Sequence, residues 1–244
     1  MTASLSGAAL REIAPGLLVR SAAALPPLGH FRLMAFDMDS TLINIECVDE
    51  IAAAAGRGAE VAAITEAAMR GEITDFRESL RRRVAMLQGV SEAQLERVWR
   101  ERLRPSPGAA ELILAAKAAG LKTLLISGGF TWFAGRLRQR LALDFVRSNQ
   151  LEMQQGRLTG RLLPQSWGDI VDGAMKRQTL LDVCSLLGIA PAQAIAVGDG
   201  ANDLEMMAAA GLSVAFHAKP RVREQATVRI DEGGLDRLLQ ALGA

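Results

Sequence analysis

Two aspartates one residue apart close an apolar run in the stretch FDMDSTL, Phe36 to Leu42. In an extended chain residues i and i+2 project to the same side, so Asp37 and Asp39 can face one site while Met38 points away. Carboxylates this close raise each other's pKa unless a cation neutralises them. Left buried and unpaired they are expensive, so the pair calls for a partner. Mg2+ suits the role: it is hard, oxygen-seeking and held by a few carboxylates, waters and phosphate oxygens. A third carboxylate, Asp199 in the later stretch VGDGAND, would complete such a site. By itself the tripeptide Asp-Met-Asp reads equally as a solvated turn.

Two further groups suit an anionic substrate. Ser127-Gly128-Gly129 offers glycine amides that can approach a phosphate closely, just before a helix whose N-terminus favours an anion. Lys176 opens the stretch MKRQTLL, where a lysine is poorly placed against the helix macrodipole unless it faces an anion. As lone features, SGG is also an ordinary turn and Lys176 also a solvated helix start. VGDGAND is more particular, since a turn with an N-cap explains only one or two of its polar residues.

The elements that must position these groups follow from hydrophobic periodicity. FRLMAF (31–36), LKTLLIS (121–127), AIAVGD (194–199) and LSVAF (212–216) are apolar runs of strand length. Helical spacing marks GAAELILAAKAAG, FTWFAGRLRQRLA, AMKRQTLLDVCSLLG and NDLEMMAAAG, with a final helix near 233–242. LEMQQGRLTGRLL (151–163) has the form of a hairpin turning at Gln155-Gly156. From Glu46 to about Leu103 the pattern is helical throughout, as roughly four helices with Ser91 as an N-cap. Strands alternating with helices call for an α/β fold, a doubly wound, mostly parallel sheet covered on both faces. Its ligands bind beyond the carboxyl ends of the strands, where FDMDST, ISGGF and VGDGAND all fall. The expected organisation is a short N-terminal extension (1–29), an α/β core (30–44 and 105–244) and an all-helical cap (45–104) inserted after the first core strand.

The totals agree. The chain has 244 residues, half of them hydrophobic, enough for one large α/β domain with an insert. A formal net charge of +1 gives no general attraction to nucleic acid or anionic membrane, so a charged substrate must meet a local site. Aromatics are few and tyrosine is absent, which argues against base-stacking platforms. No apolar stretch reaches spanning length and no leader pattern opens the chain, so a cytoplasmic protein is expected. Cys47 and Cys184 form no CxxC pair and read as reduced thiols. Nothing here sets the oligomeric state.

DMDST, SGG, Lys176 and GDGAND, in this order, resemble the haloacid-dehalogenase-like (HAD) phosphohydrolase superfamily, from about residue 31 onward. Within it, FDMDSTLINIECVDEIA, RRRVAMLQG, ISGGF and IAVGDGANDLEM are most similar to the wording of the phosphoserine phosphatase family. The resemblance implies a Rossmann-like HAD core and Mg2+-dependent hydrolysis of a small phosphomonoester, O-phospho-L-serine, to L-serine and phosphate through an aspartyl-phosphate intermediate, the last step of serine biosynthesis. It implies Asp37 as nucleophile and Asp39 as general acid and then base. Asp37, Asp199 and the Asp39 backbone carbonyl would hold Mg2+, with Asp203 behind them. Ser127, Gly128, Lys176 and Asn202 would bind phosphate. Glu46 would meet the substrate ammonium and Arg83 its carboxylate, although Arg81-Arg82-Arg83 alone also reads as a solvated basic face. Two rival readings use similar residues: a phosphotransferase to another small alcohol, and a phosphorylatable receiver-type switch. Neither a proton donor two residues after the nucleophile nor a helical lid is needed by the switch.

Overall fold

The computed structural model describes residues 9–21, 23–69 and 72–244. In chain order the strands and helices are β1 (Leu10–Ala14), β2 (Leu17–Arg20), β3 (Leu33–Phe36), α1 (Cys47–Ala54), α2 (Gly58–Met69), α3 (Phe76–Ala85) and α4 (Glu92–Arg97). There follow α5 (Ala109–Ala118), β4 (Lys122–Phe130), α6 (Thr131–Leu141), β5 (Phe145–Gln154), β6 (Arg157–Leu163), α7 (Gly173–Leu186) and β7 (Ala194–Gly198). Last come α8 (Leu204–Ala209), β8 (Leu212–Phe216), α9 (Pro220–Gln225), β9 (Val228–Ile230) and α10 (Arg237–Leu242).

β3 lies at the centre of a sheet ordered β1-β2-β9-β8-β7-β3-β4-β5-β6. Its neighbours β4 and β7 are both parallel to it, and the parallel set extends to β5 on one side and to β8 and β9 on the other. All four β3 residues are buried because the strand is covered on both faces. Met34 and Phe36 join one apolar cluster and Leu33 and Ala35 the other, which is why the run reads as continuously apolar. The hairpin of β5 and β6 turns at Gln155-Gly156, both with positive φ, the twist-matched geometry of a two-residue hairpin turn.

Two parts of the sheet were not legible beforehand. The segment expected to be a plain extension carries β1 and β2, an antiparallel pair that docks on β9 through Leu17↔Ile230 and Val19↔Val228. Leu17 and Val19 are buried there. These strands and β9 are three to five residues long, too short for alternation to announce them. β5 also begins earlier than the expected hairpin and pairs in parallel with β4 before it meets β6.

The helices α1 to α4 lie between β3 and β4 in sequence. The chain leaves for them and returns through a paired neck: Ile43 bridges Pro105, Asn44 N donates to Arg104 O at 3.1 Å, and Ser106 N to Leu42 O at 2.9 Å. Ile51, Leu80, Val84, Leu87, Leu95 and Val98 of this part share an apolar cluster with Met34 and Phe36 of β3. Ser91 caps α4 as the sequence suggests, in a reciprocal capping box with Gln94. Across the opening, Arg77 of α3 pairs with Asp172 at 2.7 Å and Arg81 with Asp169 at 2.5 Å. Among the described residues no helix is long and apolar enough to cross a membrane.

Candidate active site

Beyond the carboxyl ends of β3, β4 and β7 lies a cavity of about 160 Å³, lined by Asp37, Asp39, Glu46, Arg83, Ser127, Gly128, Asp199 and Asn202 among others. Eight of the ten residues singled out from the sequence therefore share one space. The other two, Lys176 and Asp203, are fully buried and join it from behind.

Asp37 is the first residue past β3 and is almost wholly buried. Its Oδ1 accepts from the Met38 amide at 2.7 Å and from Lys176 Nζ at 2.7 Å. Lys176 sits one turn into α7, a helix capped by Asp172 accepting from Met175 N. Its ammonium also donates to Asp203 Oδ1 at 2.6 Å. The opposed macrodipole is thus offset by two carboxylates. Asp203 Oδ2 accepts from the Asp199 and Gly200 amides at 3.1 and 3.0 Å, fastening the turn after β7. Gly198 is required there, because a Cβ would lie 2.5 Å from Asp203 Cγ.

Asp37, Asp199 and Asp203 offer oxygens within 4.8 Å of one another, all buried. Three carboxylates against the single buried ammonium of Lys176 leave an excess of negative charge in a poorly solvated place. An all-oxygen donor set of that charge fits a hard divalent cation. Asp203 stands closer to this centre than its expected supporting position suggested. The Asp39 carboxylate is not one of the three; only its backbone carbonyl was assigned to metal.

Burial, then the Asp203 charge, pushes the Asp37 carboxyl well above the usual range. Burial and Asp203 likewise raise Asp199 to about 6. Burial pulls the Lys176 ammonium down, but Asp203 and Asp37 outweigh it and the net shift is upward. Burial, followed by repulsion from Glu46, raises Asp39 to about 7. Asp39 Oδ1 accepts from the Cys47 amide, the first of α1, at 3.0 Å. Ser40, held at φ 54°, donates from Oγ to Glu46 Oε1 at 2.7 Å. One short loop thereby sets both aspartates and the first acidic residue of the helical part.

Opposite the aspartates, Ser127 Oγ accepts from the Gly129 amide at 2.8 Å. Gly129 passes so close that a Cβ would lie 2.6 Å from Asp39 Oδ2. Arg83 reaches the cavity from α3, beside the apolar wall of Phe76, Leu80 and Val48.

These features match known proteins. Residues 31–211 fit the model of the haloacid dehalogenase-like hydrolase family. The chain is 67% identical over 228 residues to a phosphoserine phosphatase of Albidiferax ferrireducens, covering 93% of this chain and 96% of that one. The chain belongs to the phosphoserine phosphatase family of haloacid dehalogenase-like hydrolases. Among solved structures of the family, a substrate-bound phosphoserine phosphatase superposes with a TM-score of 0.78 at 36% identity, over 86% of this chain and 97% of that one. A probable phosphoserine phosphatase from Vibrio cholerae in unliganded form gives 0.78 at 45%, over 89% and 66%. The fold is the HAD fold, and the chain is a phosphoric monoester hydrolase.

Sequence reasoning missed several residues that build this hydrolase site. Thr41 donates to Asp199 Oδ1 at 3.1 Å, joining two strand ends 158 residues apart. Lys219, after β8, brings Nζ to 3.7 Å from Asp199 Oδ2 and lines the cavity. Thr41 belongs to the DMDST run and was within reach of the motif; Lys219 follows a strand end but stands alone in sequence.

Proposed function

We propose that this hydrolase converts O-phospho-L-serine to L-serine and phosphate with Mg2+ as cofactor, through an aspartyl-phosphate on Asp37. The observation that carries the reading is the junction of two half-sites in one small cavity. A carboxylate cluster with one buried lysine suits a phosphoryl group, and Glu46 with Arg83 suits a zwitterion. The relatives' names point to the same substrate.

Phosphate monoesters hydrolyse very slowly, so a covalent route with strong charge neutralisation is needed. Asp37 attacks phosphorus as the bond to the serine oxygen breaks. Its Oδ1 is held by Lys176 and the Met38 amide, which fixes the carboxylate for an in-line approach. Asp39, with a pKa near 7, gives its proton to the leaving serine oxygen. It then takes a proton from the water that attacks the aspartyl-phosphate, and free phosphate leaves. Asp37, Asp199 and the Asp39 carbonyl would hold Mg2+, which when bound would supply positive charge against the phosphoryl oxygens. Ser127, the Gly128 amide, Asn202 and Lys176 orient those oxygens, while Asp203 holds Lys176 and the turn bearing Asp199. Glu46 takes the ammonium and Arg83 the carboxylate, a pairing that favours a planar guanidinium. The segment 45–104 acts as a lid that excludes water.

The test is a phosphate-release screen over small phosphomonoesters with and without Mg2+. Phosphoserine should be the preferred substrate by kcat/KM, and chelation should abolish turnover. A flat profile across the panel would refute the substrate assignment.

A further inference from the structure

The register between β4 and β5 breaks at the glycines. Ser127 pairs with Ser148, but the next pair is Phe130 with Asn149. Gly128 and Gly129 are therefore two extra residues bulged out of the ladder, toward the cavity and away from β5. A bulge leaves its own peptide groups without ladder partners. Here one side chain takes up the vacancy. Asn149, fully buried, donates from Nδ2 to Gly128 O at 2.7 Å. Its Oδ1 accepts from the Val171 amide at 2.8 Å, which fixes the carboxamide's own orientation from the loop before α7.

That contact has a directional consequence. The Gly128 carbonyl and the Gly129 amide belong to one peptide unit, and in a trans unit they point opposite ways. Tying the carbonyl back to Asn149 turns the Gly129 N–H to the other side, where it meets Ser127 Oγ at 2.8 Å. Glycines lack the Cβ that would resist rotation of this unit. A flipped unit would aim a carbonyl oxygen at the space where phosphoryl oxygens bind, replacing attraction by repulsion. We infer that Asn149 is a positioning residue that locks the Gly128–Gly129 peptide with its carbonyl away from the phosphoryl group. The inference rests on the reading of Ser127-Gly128 as a phosphate-binding loop.

Three variants test it, with inorganic phosphate as competitive inhibitor of the turnover of phosphoserine. Asn149→Asp keeps shape and still accepts from Val171, but its carboxylate cannot donate to Gly128. Loss of one preorganised group aimed at the developing charge costs about 10²–10³-fold in kcat, and a carbonyl turned toward the phosphoryl oxygens would disturb the site on that scale. A misdirected peptide should bring kcat/KM down on that scale and weaken inhibition by phosphate at least about tenfold. Lowering the pH should protonate the new carboxyl, restore a donor and bring phosphate inhibition back toward the parent's value measured at the same pH. A purely structural role would not produce that recovery. Asn149→Ser should show the same weakening without the pH response. Ser127→Ala tests the underlying reading. If it leaves phosphate inhibition unchanged, the loop assignment fails. If it weakens inhibition while a folded Asn149→Asp does not, only the role of Asn149 falls. Loss of a cooperative thermal transition in both Asn149 variants would make the residue purely structural and overturn the inference.

Discussion

Replacing Lys176 by methionine removes the one ammonium between Asp37 and Asp203, 2.7 and 2.6 Å away, without opening a large cavity. Both carboxylates stay buried. Breaking a buried ion pair by deleting one partner costs about 3–5 kcal/mol, because a charge is left uncompensated. In a protein of this size about 1 kcal/mol corresponds to roughly 2–4 °C in Tm, so the melting temperature in chelator should drop by about 6–20 °C. Asp203 keeps its two amide donors, so its charge is not wholly orphaned and the lower half of that range is expected. Adding Asp203→Asn removes one of the repelling charges, and the double variant should regain roughly 1–3 kcal/mol over Lys176→Met alone. Differential scanning calorimetry of the parent, both single variants and the double variant reads these differences directly. Activity on phosphoserine should stay absent in both Lys176 variants, which separates the stability effect from catalysis. A Lys176→Met protein melting within about 2 °C of the parent would refute the idea that this lysine is what makes the buried carboxylates tolerable.

Further tests address the separate roles. Asp37→Asn should cost at least about 10⁴-fold in kcat with the circular dichroism spectrum intact, and tenfold or smaller losses would contradict its role as nucleophile. Asp39→Asn should harm phosphoserine turnover far more than that of an aryl phosphate, whose leaving group needs no proton; equal losses would remove Asp39 as general acid. Glu46→Gln and Arg83→Ala should each lower kcat/KM for phosphoserine about 10–100-fold, the value of a lost charge-assisted contact, and spare the aryl phosphate. In chelator, stability should fall between pH 6 and pH 8. The carboxyls of Asp39, near 7, and Asp199, near 6, lie above their unfolded values near 4. Their contribution is thus fully present below about pH 4 and is lost as pH rises through the folded values. A loss on the order of 1–3 kcal/mol is expected, read as a lower Tm at pH 8; saturating Mg2+ should flatten it. A Tm that rises over this interval would reverse the sign of the argument.

The central strands were legible because burial on both faces forces an unbroken apolar run, as in Leu33 to Phe36. The polar residues that follow each run stood out for the same reason, and Asp37, Ser127 and Asp199 could be grouped by topology alone. Illegible parts depend on pairing between distant segments. Leu17 and Val19 lie on a strand whose place in the sheet comes from pairing with β9, some two hundred residues later. Asn149 looks like any polar strand residue until the register break beside Gly128 is seen. Arg83 could be singled out by family wording but not by chemistry, since three consecutive arginines look solvated until α3 turns one of them inward.

The paired neck at Ile43 and Pro105 reaches beyond this one chain. Its hydrogen bonds bring the two ends of a sixty-residue excursion side by side, one step after the aspartates. The register of β3 against β4 and β7 is set by their own ladders, and among the described residues no strand pairing from beyond the neck enters it. Such a layout separates inheritance of the phosphoryl chemistry from inheritance of substrate choice. New specificities can arise by rewriting the excursion while the strand ends stay as they are.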